Sequence, residues 1–442
     1  MTTGIKDPGL VFNPWRRFGG FYILFSGMVD GGDVRATYFY GYNIVAGGFA
    51  IQAVSIGALF AYGVFFKELQ AEFGWSRTTI SGASSLAFFV MGAVGVLAGR
   101  LNDRIGPKIL IRLSGASLGI GYLLLSYMQA SWQLYLLYGL LVGVGYSTHD
   151  VITLSTIARW FVKRRGMMSG IVKVGTGCGQ LCVPLIATAL IAAFGWRYAC
   201  FIIGATVLVA LVAVAQVMRR DPQGLGLLPD GGNGHPAGIV IAADESGLSL
   251  REASRTRQFW TLCVAEFAIF ACLLTIVVHI VPHARDLGLP PTIAAGVLAT
   301  IGGVSMLGRF TMGTVNDGIG GKRSLIICFI ILVCGLVWLQ LSSATWMLFL
   351  FATIYGFAHG GLFTVMSPTV AELFGTGSHG LLFGIVLFSG TLGGAIGPLM
   401  AGRIFDLTGS YRLVFLILTA MALIGFILIT TLRPPGKDVG GT

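Results

Sequence analysis

The stretch "GRLNDRIGPK" at residues 99–108 returns as "GTVNDGIGGK" at 313–322, in a chain of 442 residues of which only 11% are charged. At a constant offset of 214 residues, Asn102 and Asp103 fall on Asn316 and Asp317, Gly106 on Gly320, and Lys108 on Lys322. The same offset carries Gly166, Gly170, Gly179, Pro184 and Gly195 onto Gly380, Gly384, Gly393, Pro398 and Gly409. Chance does not hold one offset over so many glycine and proline positions, so the chain reads as two duplicated halves with a polar segment at equivalent points.

Composition says what those halves are made of. A hydrophobic fraction of 55%, a mean hydropathy of +0.83 and 65 glycines lie outside the range of soluble domains. A helix needs about 20 apolar residues to cross a bilayer, and twelve runs qualify: 42–66, 77–99, 109–128, 132–158, 167–194, 196–218, 258–284, 291–314, 323–342, 346–371, 380–402 and 411–432. Period-two alternation is absent, which argues against a barrel. The expected fold is an all-α polytopic membrane protein, twelve transmembrane helices in two pseudo-symmetric bundles of six. Its expected parts are an N-terminal cytoplasmic or interfacial segment (1–41), a first bundle (42–218), a Gly-, Pro- and charge-rich cytoplasmic linker (219–257), a second bundle (258–432) and a tail (433–442).

The net charge of +11 is not spread as in a nucleic-acid-binding surface. Lys and Arg gather in alternate loops: Arg100, Arg104, Lys108 and Arg112; Lys163, Arg164 and Arg165; Arg219, Arg220, Arg251, Arg255 and Arg257; Lys322 and Arg323. By the positive-inside rule these loops and both termini are cytoplasmic, in a plasma membrane, with a bacterial inner membrane as the expected setting. The apolar "FGGFYILFSGMV" at 18–29 is too short to span and reads as an interfacial segment. All seven cysteines fall inside predicted spans as small packing residues, with no disulfide or metal spacing among them.

Parallel six-helix halves with a site between them are the plan of the major facilitator superfamily, and "GRLNDRIGPK" resembles that superfamily's loop motif. The resemblance implies a gate of Gly99, Arg100, Asp103, Arg104, Gly106 and Lys108, with Asp317, Gly320 and Lys322 from a weaker second copy. The carboxylates could cap neighbouring helix ends in one conformation and release them in another. Finer likeness lies in "YGYNIVAGGFAIQAVSIGALFAYGVFFKELQAEFGWSRTTIS" (40–81), "RWFVKRRGMMSGIVKVGTGCGQ" (159–180) and "FGWRYACFIIG" (194–204). These resemble the monocarboxylate transporters and their relatives the oxalate/formate antiporters. "SMLGRFTMG" (305–313) is similar to the family segment whose arginine binds the substrate carboxylate, which implies that role for Arg309.

Two positions depart from that pattern. Phe60 stands where those carriers have a lysine, and Ser305 where they have an aspartate. The span-11 cation of the antiporters is also missing from the face of Gly384, Leu387 and Thr391. Lys173, the pseudo-symmetric mate of Leu387, lies roughly 12 Å inside its membrane edge, as does Arg309. Lys173 therefore reads as a second substrate cation, or as one paired internally with Asp150 or Glu266. His149, beside Asp150 and roughly 15 Å deep, reads as a substrate contact or proton carrier. Asp150 and Glu266 are the other proton-coupling candidates. His279 and His283, near the outer end of span 7, and His359, in the outer half of span 10, read as structural or entry-path residues.

"GTGCGQ" at 175–180 has no preceding strand and no Lys-Ser/Thr pair, so it is no nucleotide loop. Neither an enzyme constellation, a cofactor nor a metal site is expected. The expected partners are a small carboxylate anion, protons and the bilayer, and a monomer suffices. A proton-coupled carrier of lactate- or pyruvate-like monocarboxylates, a carboxylate antiporter of oxalate/formate type, and a non-transporting membrane sensor on the same scaffold all remain open.

Overall fold

The computed structural model describes residues 39–231 and 247–432. Most of the predicted 1–41 segment, with its 18–29 apolar run, the middle of the 219–257 connection and the 433–442 tail lie outside the described residues. Among those described there is no strand, and ten helices are long and apolar enough to cross a membrane. They make α1 (Gly41–Phe73), α2 (Arg77–Ile105), α3 (Pro107–Leu125), then, after a fourth, segmented crossing α4 (131–160), the 51-residue helix Arg165–Ala215, then α7 (Arg257–Asp286), α8 (Pro291–Ile319), α9 (Gly321–Leu341), α10 (Thr345–Phe374), α11 (His379–Thr408) and α12 (Arg412–Thr430).

The 51-residue helix provides two crossings because Gly195, at φ 79°, reverses the chain between α5 (165–194) and α6 (196–215). The loop motifs end their helices the same way. Gly106 (φ 80°) and Gly320 (φ 82°) occupy a backbone region that favours glycine, each donating its N–H to the asparagine carbonyl four residues back, Asn102 or Asn316. The sharp α2–α3 and α8–α9 corners follow from that.

The fourth crossing, α4, is not the continuous span expected over 132–158. It comprises Ser131–Leu134, a wide π-helical stretch Tyr135–Val142, Gly143–Tyr146, and finally His149–Trp160 after a break at Ser147 and Thr148. Glycines let α4 press on its neighbours: a Cβ on Gly145 would stand 2.7 Å from the Leu118 backbone of α3, and one on Gly143 would stand 3.0 Å from the Ala87 backbone of α2. At the break, Ser147 Oγ donates to the Val144 carbonyl (2.7 Å) and the Ser114 and Thr148 hydroxyls share a 2.6 Å hydrogen bond. These hydroxyls offer the backbone an alternative to the helical ladder. The consequence for the site is that His149 and Asp150 open a new helical segment inside the membrane.

The pseudo-symmetry is visible in backbone contacts. Within the first bundle, Gly179 of α5 packs on the Ala53 carbonyl of α1; within the second, Gly393 of α11 packs on the Phe267 carbonyl of α7, both partners shifted by the same offset. Between the bundles, α2 lies on α11 and α5 on α8. Gly99 meets the Gly380 carbonyl where Gly313 meets that of Gly166, and a Cβ on Gly384 would stand 3.2 Å from the Gly95 carbonyl where one on Gly170 would stand 2.5 Å from that of Arg309. Arg309 thus occupies the place that Gly95 takes in the other half. Missing side chains are what allow both interfaces to close this tightly.

Candidate functional site

The doubled motif closes one end of the molecule with two related locks. The Asp103 carboxylate accepts hydrogen bonds from the backbone N–H groups of Gly380 (3.0 Å) and Leu381 (2.9 Å) at the start of α11. The Asp317 carboxylate accepts from Gly166 (2.5 Å) and Met167 (2.8 Å) at the start of α5. Each half therefore caps a helix of the other, where free N–H groups and the helix dipole favour an anion. Asp103 also pairs with Arg159 of α4 at 2.6 Å, whereas the equivalent of Arg159 in the second half is Leu373. The second copy, expected to be the weaker, keeps both backbone contacts and has no equivalent of the Arg159 ion pair.

The remaining motif residues do other things. Arg100 and Arg104 are exposed. Gly106 and Gly320 form the corners, and Gly99 supplies the close approach to α11. Lys322 Nζ donates to the Leu432 carbonyl (2.5 Å), tying the α8–α9 corner to the end of α12, while Lys108 is half-buried with no ion pair among the described residues.

Above the locks lies a cavity of about 120 Å³ between the halves, small beside the roughly 300–1,000 Å³ of drug-sized pockets. His149, Asp150, Lys173, Arg309 and His359 line it, together with Phe60, Gln180 and the Gly384, Leu387 and Thr391 face of α11. Lys173 Nζ donates to Asp150 Oδ1 at 2.7 Å, resolving the sequence-level choice between Asp150 and Glu266 as its partner. Gln52 Nε2 of α1 donates to the same oxygen at 2.8 Å and accepts, through Oε1, from Thr176 of α5 at 2.9 Å. His149 Nε2 lies 3.3 Å from the other Asp150 oxygen, and its Nδ1 is 2.5 Å from the Tyr146 carbonyl. Asp150 is thus gripped from α1, α4 and α5.

Arg309 is different. It is 2% exposed, and its Nε and Nη1 have no hydrogen-bond partner among the described residues. A buried guanidinium left without an acceptor is costly unless a ligand supplies one. Glu266, also 2% exposed, has an Oε2 with no partner among the described residues and packs against Gly390 of α11, one turn from the cavity-lining Phe270 and off the wall itself.

Two features escaped the sequence reading. Gln52 was unremarked, although an amide within an apolar span is itself a signal of a polar partner. His359, expected in the outer half of its span, lies at the middle of α10 in the cavity wall. His279 and His283 do sit near the outer end of α7, where His279 contacts the Tyr411 hydroxyl (3.1 Å) and the Pro398 carbonyl (3.0 Å).

A family model described as Major Facilitator Superfamily matches residues 48–317 and 284–441. Monocarboxylate transporter 13 of Rattus norvegicus is 27% identical over 403 residues, covering 89% of each chain, and monocarboxylate transporter 11 of Homo sapiens is 28% identical over 412 residues, covering 90% of this chain and 83% of that one. Among solved structures, the human organic anion transporter MFSD10 aligns at a TM-score of 0.68 with 15% identity, over 88% of this chain and 99% of the other. The E. coli fucose:proton symporter FucP aligns at 0.68 with 14% identity, over 88% and 97%. The structural likenesses agree on the twelve-helix fold.

Proposed function

The chain belongs to the major facilitator superfamily and is a membrane transporter, and we propose that its substrate is a small monocarboxylate of the lactate or pyruvate kind, carried by alternating access. The supporting observation is Arg309: a buried guanidinium whose Nε and Nη1 have no acceptor among the described residues, facing a cavity sized for a few heavy atoms, is a place for a carboxylate, which the planar fork can hold by two parallel bonds. The relatives named as monocarboxylate transporters support the same class. The halves 42–218 and 258–432 rock about this site, joined by 219–257. The locks face the cytoplasm, as the positive-inside count places them.

Charge counting gives the coupling. Arg309 and Lys173 against Asp150 leave one net positive charge among these three groups. An ionised Glu266 cancels it when the cavity is empty; a protonated Glu266 leaves it to be cancelled by the arriving anion. The two neutral states, empty and deprotonated or loaded and protonated, are those that can reorient without exposing a net charge to the low-dielectric interior. Anion and proton then travel together. Glu266 is favoured as the proton carrier over Asp150 because Asp150 is held by Lys173 and Gln52, while Glu266 Oε2 has no donor among the described residues. Should Glu266 stay protonated throughout, the empty carrier remains charged and immobile and the protein is an obligatory exchanger, the reading that the two cavity cations favour.

The test is uptake into proteoliposomes with and without an imposed pH gradient, over a panel of carboxylates. Accumulation driven by inward protons establishes symport. Rapid counterflow without such accumulation establishes exchange, and transport of no carboxylate removes the assignment.

A further inference from the structure

The assignment of Arg309 to the carboxylate leaves unexplained a second buried polar group on the same wall. His359 is 7% exposed and lines the cavity, and its Nδ1 has no hydrogen-bond partner among the described residues. Its neighbours on α10 are aromatic: the Phe363 ring centroid lies 4.9 Å away and that of Tyr355 6.0 Å. The cavity's other histidine, His149, is by contrast held by the Tyr146 carbonyl, and the outer His279 by two partners. Buried imidazoles ordinarily have their polar edges satisfied.

Backbone packing fixes His359 relative to Arg309. Gly360, the next residue, lies against α8 so closely that a Cβ there would overlap the Ser305 carbonyl and stand 2.8 Å from the Arg309 backbone nitrogen. The two side chains therefore enter one small cavity from backbones in contact, and neither can shift along its helix without parting α8 from α10. A group bound to Arg309 has its next atoms near the imidazole.

We propose that His359 is the specificity residue of this site: with the carboxylate on Arg309, the imidazole hydrogen-bonds a hydroxyl or keto oxygen on the adjoining carbon. The inference rests on the reading of Arg309 as the carboxylate anchor. A neutral imidazole has one donor and one acceptor and can serve either a 2-hydroxy or a 2-oxo acid. An unsubstituted short-chain acid leaves that edge unpaired in a dry cavity, and a site built around such a hydrogen bond discriminates strongly against analogues that lack it.

The experiment compares uptake of 2-hydroxypropionate, 2-oxopropionate and propionate by the full-length protein in proteoliposomes, for wild type, His359→Phe and His359→Gln at matched incorporation. The expected wild-type preference for the substituted acids over propionate is at least roughly tenfold. His359→Phe collapses that ratio toward unity, and His359→Gln, which keeps a donor and an acceptor, restores part of it. Since the readout is a ratio within one preparation, lowered abundance of a variant does not imitate the result. A wild type that takes up all three acids equally, or a His359→Phe ratio equal to that of wild type, overturns the role of His359 and leaves Arg309 as the anchor. Transport of none of the three by wild type overturns the carboxylate reading and this inference with it.

Discussion

Lys173 of α5 donates to Asp150 of α4 across 2.7 Å, so the cavity's lysine has its counter-ion, while its arginine, Arg309, has none among the described residues. One cation is reserved by the protein and the other is left for a ligand. An anion entering the cavity must compete with Asp150 for Lys173 but not for Arg309, which makes Arg309 the first point of attachment.

Arg309→Ala is therefore expected to abolish carboxylate uptake and counterflow, while the protein still elutes as a single species in detergent. Arg309→Lys should also be largely inactive, since an ammonium cannot offer two parallel donors to one carboxylate. Wild-type uptake by the alanine variant at matched abundance removes Arg309 from the site.

Asp150→Asn strands Lys173 in the membrane interior. Breaking a buried pair by removing one partner costs about 3–5 kcal/mol, so a clear fall in melting temperature in detergent is expected. The double variant Asp150→Asn, Lys173→Met should recover most of it, because no unpaired charge remains. Equal destabilisation by the single and double variants shows that the Gln52 and Thr176 contacts, and not the ion pair, hold this region together.

Glu266→Gln fixes the proposed proton carrier in its neutral form. Wild-type uptake is expected to rise as the external pH falls, because protonation of Glu266 is what allows the loaded carrier to reorient. In the variant, accumulation under an imposed pH gradient should vanish while counterflow persists, since the loaded state is neutral and the empty one is not. Undiminished accumulation assigns the proton to another group, with His149→Gln the next variant to score.

Asp103→Asn weakens both the cap on α11 and the pair with Arg159, whereas Asp317→Asn touches only a cap. Both should shift the protein toward the state open at the motif face, Asp103→Asn the further of the two. A cysteine placed at Leu387, on the cavity wall, reports this as faster labelling from that face. The turnover number is expected to fall more than the affinity, because the locks act on the balance of states and not on the bound anion. An unchanged labelling rate with at least about tenfold weaker binding places Asp103 on the substrate path instead.

Much of the molecule is legible along the chain because the bilayer is a one-dimensional filter. Length and hydropathy alone place every span except the broken fourth with ends within seven residues of the helix found, since a helix is the simplest open segment that can satisfy its backbone in lipid. The duplication relates Asp103 to Asp317 and Gly166 to Gly380, and so contains the reciprocity of the locks before any contact is seen. Depth is legible too: counting residues from a charged loop puts Arg309 and Lys173 at one level, by the fixed rise of a helix.

Partners at one depth are a different matter, since they depend on how each helix is rotated about its axis and which helices adjoin it. Hydropathy does not encode those angles; close packing between specific faces sets them. Lys173 reads along the chain as a substrate cation or as the partner of Asp150 or Glu266, and tertiary packing pairs it with Asp150 while Glu266 packs beside Phe270 and Gly390. The same packing broke α4 just before His149, brought Gln52 from α1 onto Asp150, and set His359 in the cavity wall. Burial and spacing along the chain thus determined which residues are deep and cationic. Only the assembled bundle decided which of those charges is already satisfied and which is left for a ligand.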